Sequence, residues 1–107
     1  MFMRSLTVFA MLCGLAAAQS AQAQDAGAGE RIAQSWCSRC HLVDSGQQKG
    51  GSDAVPTFSS IARRASTSQA SLTIFLATPH RGMPDFNLTR AEIQNVAAYV
   101  LSLRDRP

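Results

Sequence analysis

Apolar residues recur at helical spacing through most of the chain that follows residue 24. Separations of three and four residues place side chains on one face of an α-helix. Three segments show this spacing, and their apolar positions are Ile32, Ala33 and Trp36, then Phe58, Ile61, Ala62 and Ala65, then Leu72, Phe75 and Leu76. The pattern therefore predicts three short helices, the first leading into Cys37 and Cys40 with both cysteines on its apolar side.

A fourth helix is predicted near the C-terminus, with the clearest start signal in the chain. Thr89 and Glu92 have the spacing of a capping box, in which each side chain satisfies a backbone amide of the first turn. A stripe at helical period follows, made of Ile93, Val96, Ala97, Val100 and Leu101. The stretch 42–55 is mostly polar and glycine-rich, which predicts a surface loop. No alternating strand pattern is present, so the expected fold class is all-α, with about four short helices.

The first 23 residues have the pattern of a secretory signal peptide. Arg4 precedes an uninterrupted apolar or small-residue run, and Ala21-Gln22-Ala23 supplies a cleavage pattern. The apolar run of about 13 residues is shorter than the ~20 that a membrane-spanning helix needs. We therefore expect a cleaved leader at 1–23, a single domain at 24–107 and a periplasmic mature protein with no transmembrane segment.

Charge and size narrow the classes of function. The 107-residue chain has ten Lys and Arg against seven Asp and Glu, and loss of the leader removes only Arg4. This mild positive balance lacks the clustered basic face of a nucleic-acid-binding protein, but it could orient docking on an acidic partner. A domain this small often needs a disulfide, a metal or a cofactor to stay folded, and aromatic residues are few.

The segment Cys37-Ser38-Arg39-Cys40-His41 carries the candidate chemistry. Its spacing suits a thiol–disulfide redox pair, half of a zinc site or the attachment site of a c-type haem. A structural zinc site needs four ligands, and beyond this segment only His80 or a carboxylate could join. A redox pair usually begins a helix beside parallel strands, whereas this motif follows a helix.

The haem interpretation accounts for the most features. In a c-type haem site, the two cysteines form thioethers and the adjacent histidine binds the iron. Met83, the only methionine after the predicted leader, lies in a polar loop between Gly82 and Pro84. It is the candidate second axial ligand, and His80 is a rival for that position. Haem would also fill the centre of a thin core.

The sequence resembles the small class I cytochromes c of bacterial periplasms over nearly all of residues 25–107. The matching segments are CSRCH, VPTFSSIA and GMPDFNLTRAEIQNVAAYVLSL. The resemblance implies a cytochrome c fold around one haem c, attached through Cys37 and Cys40 and ligated by His41 and Met83. It also implies that the Pro56 carbonyl orients His41. Gly29 and Tyr99 match positions where the first and last helices pack, whereas Ala33 stands where an aromatic residue is common.

The implied function is electron transfer. A haem iron bound by both His41 and Met83 has no open position for a substrate, so the protein is expected to be a periplasmic carrier and not an enzyme. It would be a monomer that docks transiently with a donor and an acceptor protein, without nucleic acid. The alternatives are a haem subunit of a larger oxidoreductase, a haem peroxidase, or a thiol–disulfide oxidoreductase.

Overall fold

The computed structural model describes residues 24–47, 51 and 54–106. Within these residues the chain forms four helices and no strand beyond isolated bridges, which confirms the all-α prediction. The predicted signal peptide, residues 1–23, lies outside the described residues. In the part of the chain that is described, no helix is both long and apolar enough to cross a membrane. The helices are α1 (Ala26–Ile32), α2 (Phe58–Arg63), α3 (Gln69–Ala77) and α4 (Arg90–Ser102).

Helix α1 is fastened to α4 at its first residues. The Asp25 carboxylate accepts a hydrogen bond from the Ala28 amide, and the Asp25 amide donates to Oδ1 of Asn95. Gly29 faces α4 so closely that an added Cβ would lie 1.9 Å from the Asn95 carbonyl oxygen. Only a residue without a side chain permits this crossing, which brings α1 directly onto α4.

The helix leading into the cysteines is not α-helical throughout. After Ile32 the chain widens into a π-helical segment, Ala33–Cys37, in which the Ser38 amide donates to the Ala33 carbonyl at 2.9 Å. Such insertions are rare and frequently occur at functional sites. The predicted apolar face is therefore divided: Ala33 and Cys37 are buried, whereas Trp36 is 47% exposed and Cys40 is exposed.

The hydrophobic core lies between α4 and the other helices. Its α4 members include the predicted stripe residues Val96, Ala97 and Val100, and Tyr99 joins them. Tyr99 is 1% exposed, and its hydroxyl donates to the Val43 carbonyl at 2.6 Å. Val43 is itself buried, although the sequence placed it in a surface loop. The start of the 42–55 segment thus belongs to the core.

Two capping boxes fix where the last two helices begin. The predicted pair Thr89 and Glu92 is confirmed, with the Thr89 amide donating to the Glu92 carboxylate at 2.7 Å. Ser68 and Ser71 form the equivalent pair at the start of α3. Helix α2 ends at Arg63, before Ala65, and Ala65 is exposed. These boundaries leave residues 78–89 as the connection between α3 and α4.

Candidate functional site

The Cys-x-x-Cys-His segment forms a tight turn at the end of the π-helical segment. The amides of Cys40 and His41 both donate to the Cys37 carbonyl, at 3.2 and 2.9 Å. These two bonds close one backbone turn that contains both cysteines and His41. Within this turn Cys37 is buried, whereas Cys40 is exposed.

The segment around Pro56 holds the His41 ring in place. Its Nδ1 atom lies 2.7 Å from the Pro56 carbonyl oxygen, and its ring centre lies 5.3 Å from that of Phe58. The Phe58 amide also donates to the Leu42 carbonyl at 2.9 Å. Because a carbonyl can only accept, Nδ1 carries a proton, and in the neutral imidazole the lone pair is then on Nε2. That is the tautomer a metal-binding histidine needs.

The Gln47 side chain stabilises the turn through hydrogen bonds, a role that the sequence pattern did not predict. Its amide nitrogen donates to the carbonyls of Ser38 and His41 at 3.0 and 2.9 Å, and its oxygen accepts from the Val43 amide at 2.8 Å. A glutamine in a polar, glycine-rich stretch carries no periodic signal, so no pattern in the sequence could have identified it. The side chain makes the loop after His41 part of the site's framework.

The environment of Cys37 is unlike that of a redox-active thiol. Burial raises the pKa of the unmodified Cys37 thiol from 9.0 to about 11. Catalytic thiols of disulfide oxidoreductases have lowered pKa values because a helix N-terminus or a cation stabilises the thiolate. Cys37 instead ends a helical segment and is 7% exposed. This chemistry argues against the redox-pair interpretation. Within the described ranges, no group of three or more His, Cys, Asp or Glu is placed to hold a metal ion.

Met83 lies half-buried in the connection between α3 and α4. Its amide donates to the His80 carbonyl at 3.3 Å, closing a four-residue turn. Gly82, the third residue of this turn, has φ +79°, a left-handed conformation that glycine adopts without strain. The rival ligand His80 stacks on Phe75, with ring centres 3.5 Å apart.

A second aromatic contact connects the two parts of the site. Phe86, three residues after Met83, packs against Trp36, the residue before Cys37, with ring centres 5.5 Å apart. The structure therefore brings the loop that carries Met83 against the segment that carries the cysteines. Trp36 is one of the apolar positions of the first predicted helix, and Phe86 is its packing partner.

This arrangement of an all-α fold, a Cys-x-x-Cys-His turn and an oriented histidine defines a small monohaem cytochrome c. The chain belongs to the cytochrome c family described as cytochrome c oxidase, cbb3-type, subunit III, whose family model matches residues 24–100. It is also similar to cytochrome c-552 of Bradyrhizobium diazoefficiens, with 45% identity over 94 residues, which are 88% of this chain and 89% of that protein. No solved structure is significantly similar to it.

The family and the relative establish the protein as an electron carrier with covalently bound haem c, as the sequence predicted. The residues present fit that cofactor. The bond from His41 Nδ1 to the Pro56 carbonyl leaves Nε2 as the nitrogen of the neutral ring that can bind a metal, and the cysteines have the attachment spacing. Trp36 and Leu42, two apolar residues that flank the motif, are 47% and 36% exposed.

Proposed function

We propose that Cys37 and Cys40 would hold the haem through thioether bonds, and that His41 and Met83 would bind its iron. The observation that carries this proposal is the hydrogen bond between His41 Nδ1 and the Pro56 carbonyl. It fixes the imidazole's tautomer and its orientation in the folded chain. When bound, the haem supplies a one-electron Fe(III)/Fe(II) couple.

The chain's own residues set the properties of that couple. A hydrogen bond to a backbone carbonyl raises the basicity of the His41 imidazole. The Met83 thioether is a soft ligand that favours the reduced metal and raises the potential. Gly82 allows the tight turn before Met83, and Pro84 stiffens the chain after it. These features support a site that keeps the same ligands in both oxidation states.

The proposed ligand pair makes the protein a carrier and not a peroxidase, because it leaves no coordination position for a substrate. Mixing the resting ferric protein with hydrogen peroxide and a reducing dye tests this. We expect the parent protein to give no turnover above that of buffer without protein. The Met83→Ala variant should gain activity. Peroxidase turnover by the parent protein at a rate equal to that of Met83→Ala would show that Met83 does not occupy the position.

We further propose that the protein works in the periplasm as a diffusible monomer that docks transiently with redox proteins. The apolar leader pattern at 1–23 supports export, and the mature chain would begin at Gln24. Intact mass of the purified protein tests this part. The expected mass is that of residues 24–107 plus one haem. A species that retains residues 1–23, or one without haem, would contradict it.

A haem subunit of a larger oxidoreductase is a second candidate, favoured by the oxidase-subunit description of the family. The electron chemistry is the same, and the difference is a permanent partner. Affinity purification of the tagged chain at native expression, followed by size-exclusion chromatography, separates the two. A carrier elutes as a haem-containing monomer of the chain's own mass. Co-elution with other oxidase subunits in constant ratio would establish the subunit role.

A further inference from the structure

We propose that two aromatic contacts, Phe75–His80 and Trp36–Phe86, act together as a clamp that holds the loop bearing Met83 against the rest of the protein. We call these four residues the aromatic clamp. They are positioning residues, which act on the iron through Met83 without touching it. The inference rests on the proposed ligation by Met83, and it adds what controls how readily Met83 leaves.

The first contact pins the beginning of the loop to α3. The Phe75 and His80 rings are stacked, with centres 3.5 Å apart and planes 28° apart. Phe75 lies in the last turns of α3, a helix that is anchored by buried Leu72 and by its capping box. Phe75 is 45% exposed, so its ring is largely outside the core and faces His80 instead. The imidazole is thereby attached to a rigid element.

The second contact pins the end of the loop to the segment before the cysteines. Trp36 and Phe86 have ring centres 5.5 Å apart and planes tilted by 52°, a favourable geometry for an aromatic pair. Trp36 belongs to the π-helical segment Ala33–Cys37, which turns it away from the buried side of Ala33. The widening of the helix therefore has a structural consequence, because it presents the indole to the Met83 loop.

The backbone between the two contacts has little freedom of its own. The Met83 amide bonds to the His80 carbonyl, Gly82 completes the turn and Pro84 fixes the next φ angle. A chain this constrained moves as a unit, so Met83 withdraws only when the His80 or the Phe86 contact opens. Both contacts are partly exposed to solvent, so either can open without disrupting the core. The opening of these contacts therefore sets the rate of Met83 displacement.

Cyanide binding to the ferric holoprotein measures this rate. If a protein ligand must leave first, the observed rate of binding levels off at high cyanide concentration, and the plateau equals the rate of ligand departure. We expect His80→Leu to raise the plateau about 2- to 13-fold, the change that loss of one aromatic pair predicts. His80→Phe keeps a stacking ring and cannot bind iron, so it should restore the parent rate.

The partner residues give an internal check. Phe75→Leu should raise the plateau as His80→Leu does, and the double variant should rise no further than either single change, since the residues share one contact. Phe86→Leu should act through the other contact and add to His80→Leu. Ile74→Ala is the matched control, because Ile74 is 68% exposed on the same helix and has no ring to stack. It should leave the plateau unchanged.

Failure of the clamp and failure of the proposed ligation give different results. A parent plateau that none of the aromatic variants changes would overturn the clamp while Met83 ligation stands. Equal acceleration by His80→Leu and His80→Phe would also overturn it, because stacking would then be irrelevant. A parent rate that rises linearly with cyanide, and equals that of Met83→Ala, would overturn Met83 ligation itself.

Discussion

The Nδ1 atom of His41 lies 2.7 Å from the carbonyl oxygen of Pro56, fifteen residues further along the chain. The contact joins the Cys-x-x-Cys-His turn to the segment that begins α2, and it determines which imidazole nitrogen is available. The sequence alone suggested this pairing only by resemblance to a family. The geometry supplies its physical reason, since the oxygen is a pure acceptor.

Pro56→Ala should keep this hydrogen bond, because the acceptor belongs to the backbone. The proline's ring restricts the unfolded chain, so its loss should lower the free energy of unfolding by about 0.4–1 kcal/mol. Denaturant titration of the holoprotein measures that change, and proton NMR follows the Nδ1 hydrogen of His41. Disappearance of the Nδ1 signal in a folded variant would mean that the proline ring, and not its carbonyl, holds His41.

Gly29→Ala should separate α1 from α4. The new Cβ would lie 1.9 Å from the Asn95 carbonyl oxygen and 2.8 Å from the Val96 nitrogen, and both atoms belong to backbone. Overpacking of this kind costs about 1–3 kcal/mol, occasionally more. Gly27→Ala on the same helix is the control, since its nearest neighbour is the movable Asp25 side chain. Thermal unfolding of both holoproteins should show a lower midpoint only for Gly29→Ala; equal midpoints would contradict the close crossing.

Tyr99→Phe should destabilise the protein at neutral pH and flatten its loss of stability in alkali. The Val43 carbonyl would lose its hydrogen-bond donor, which costs about 1–3 kcal/mol for a buried acceptor. Burial, with smaller contributions from Glu30 and Asp44 and against the effect of Arg106, raises the pKa of Tyr99 above 10.0.

The sign of the alkaline effect follows from that direction. The folded state disfavours the phenolate, so the stabilisation is fully present below the unfolded pKa and is lost as pH rises through the folded pKa. Urea unfolding of the parent and of Tyr99→Phe, from about pH 8 to about pH 11, measures the difference. If the two curves fall in parallel, Tyr99 is not the titrating group.

The sequence pattern predicts some features of this structure and misses others. The Thr89–Glu92 capping box and the α4 stripe were predictable because they depend on neighbours three or four residues apart. The divided apolar face of the first helix was not predictable, because the spacing of apolar residues does not reveal a π-helical segment. Trp36, which the pattern placed on the apolar face, lies partly exposed beside Phe86.

Long-range contacts made by loop residues could not be predicted from the sequence either. Val43 is buried in the core, and its carbonyl accepts a hydrogen bond from Tyr99 in another element. The Gln47 side chain donates to two carbonyls of the turn. No regular spacing of residues in this polar, glycine-rich stretch indicates either contact. The haem motif could be identified because covalent attachment demands a fixed local spacing, whereas the framework around it depends on the folded chain.

Changing both Cys37 and Cys40 to Ala should leave a largely disordered chain. The thin core loses its covalent cofactor, and a loss of several kcal/mol is large against the total stability of about 5–15 kcal/mol. Circular dichroism measures the helix content. Arg39→Ala, between the cysteines and exposed, is the control that keeps both attachments. A cooperative, native-like unfolding transition in the double Cys variant would show that the polypeptide core is sufficient.

The midpoint potential of Met83→Ala tests the proposed carrier site most directly. Removing the thioether leaves the iron to harder ligands, which stabilise the ferric state, so the potential should fall clearly below that of the parent. His80→Phe is the matched control, because it keeps the stack on Phe75 and removes the rival ligand, and its potential should stay close to the parent's. A silent Met83→Ala change together with a large shift in His80→Phe would instead assign the sixth ligand to His80 and contradict the account.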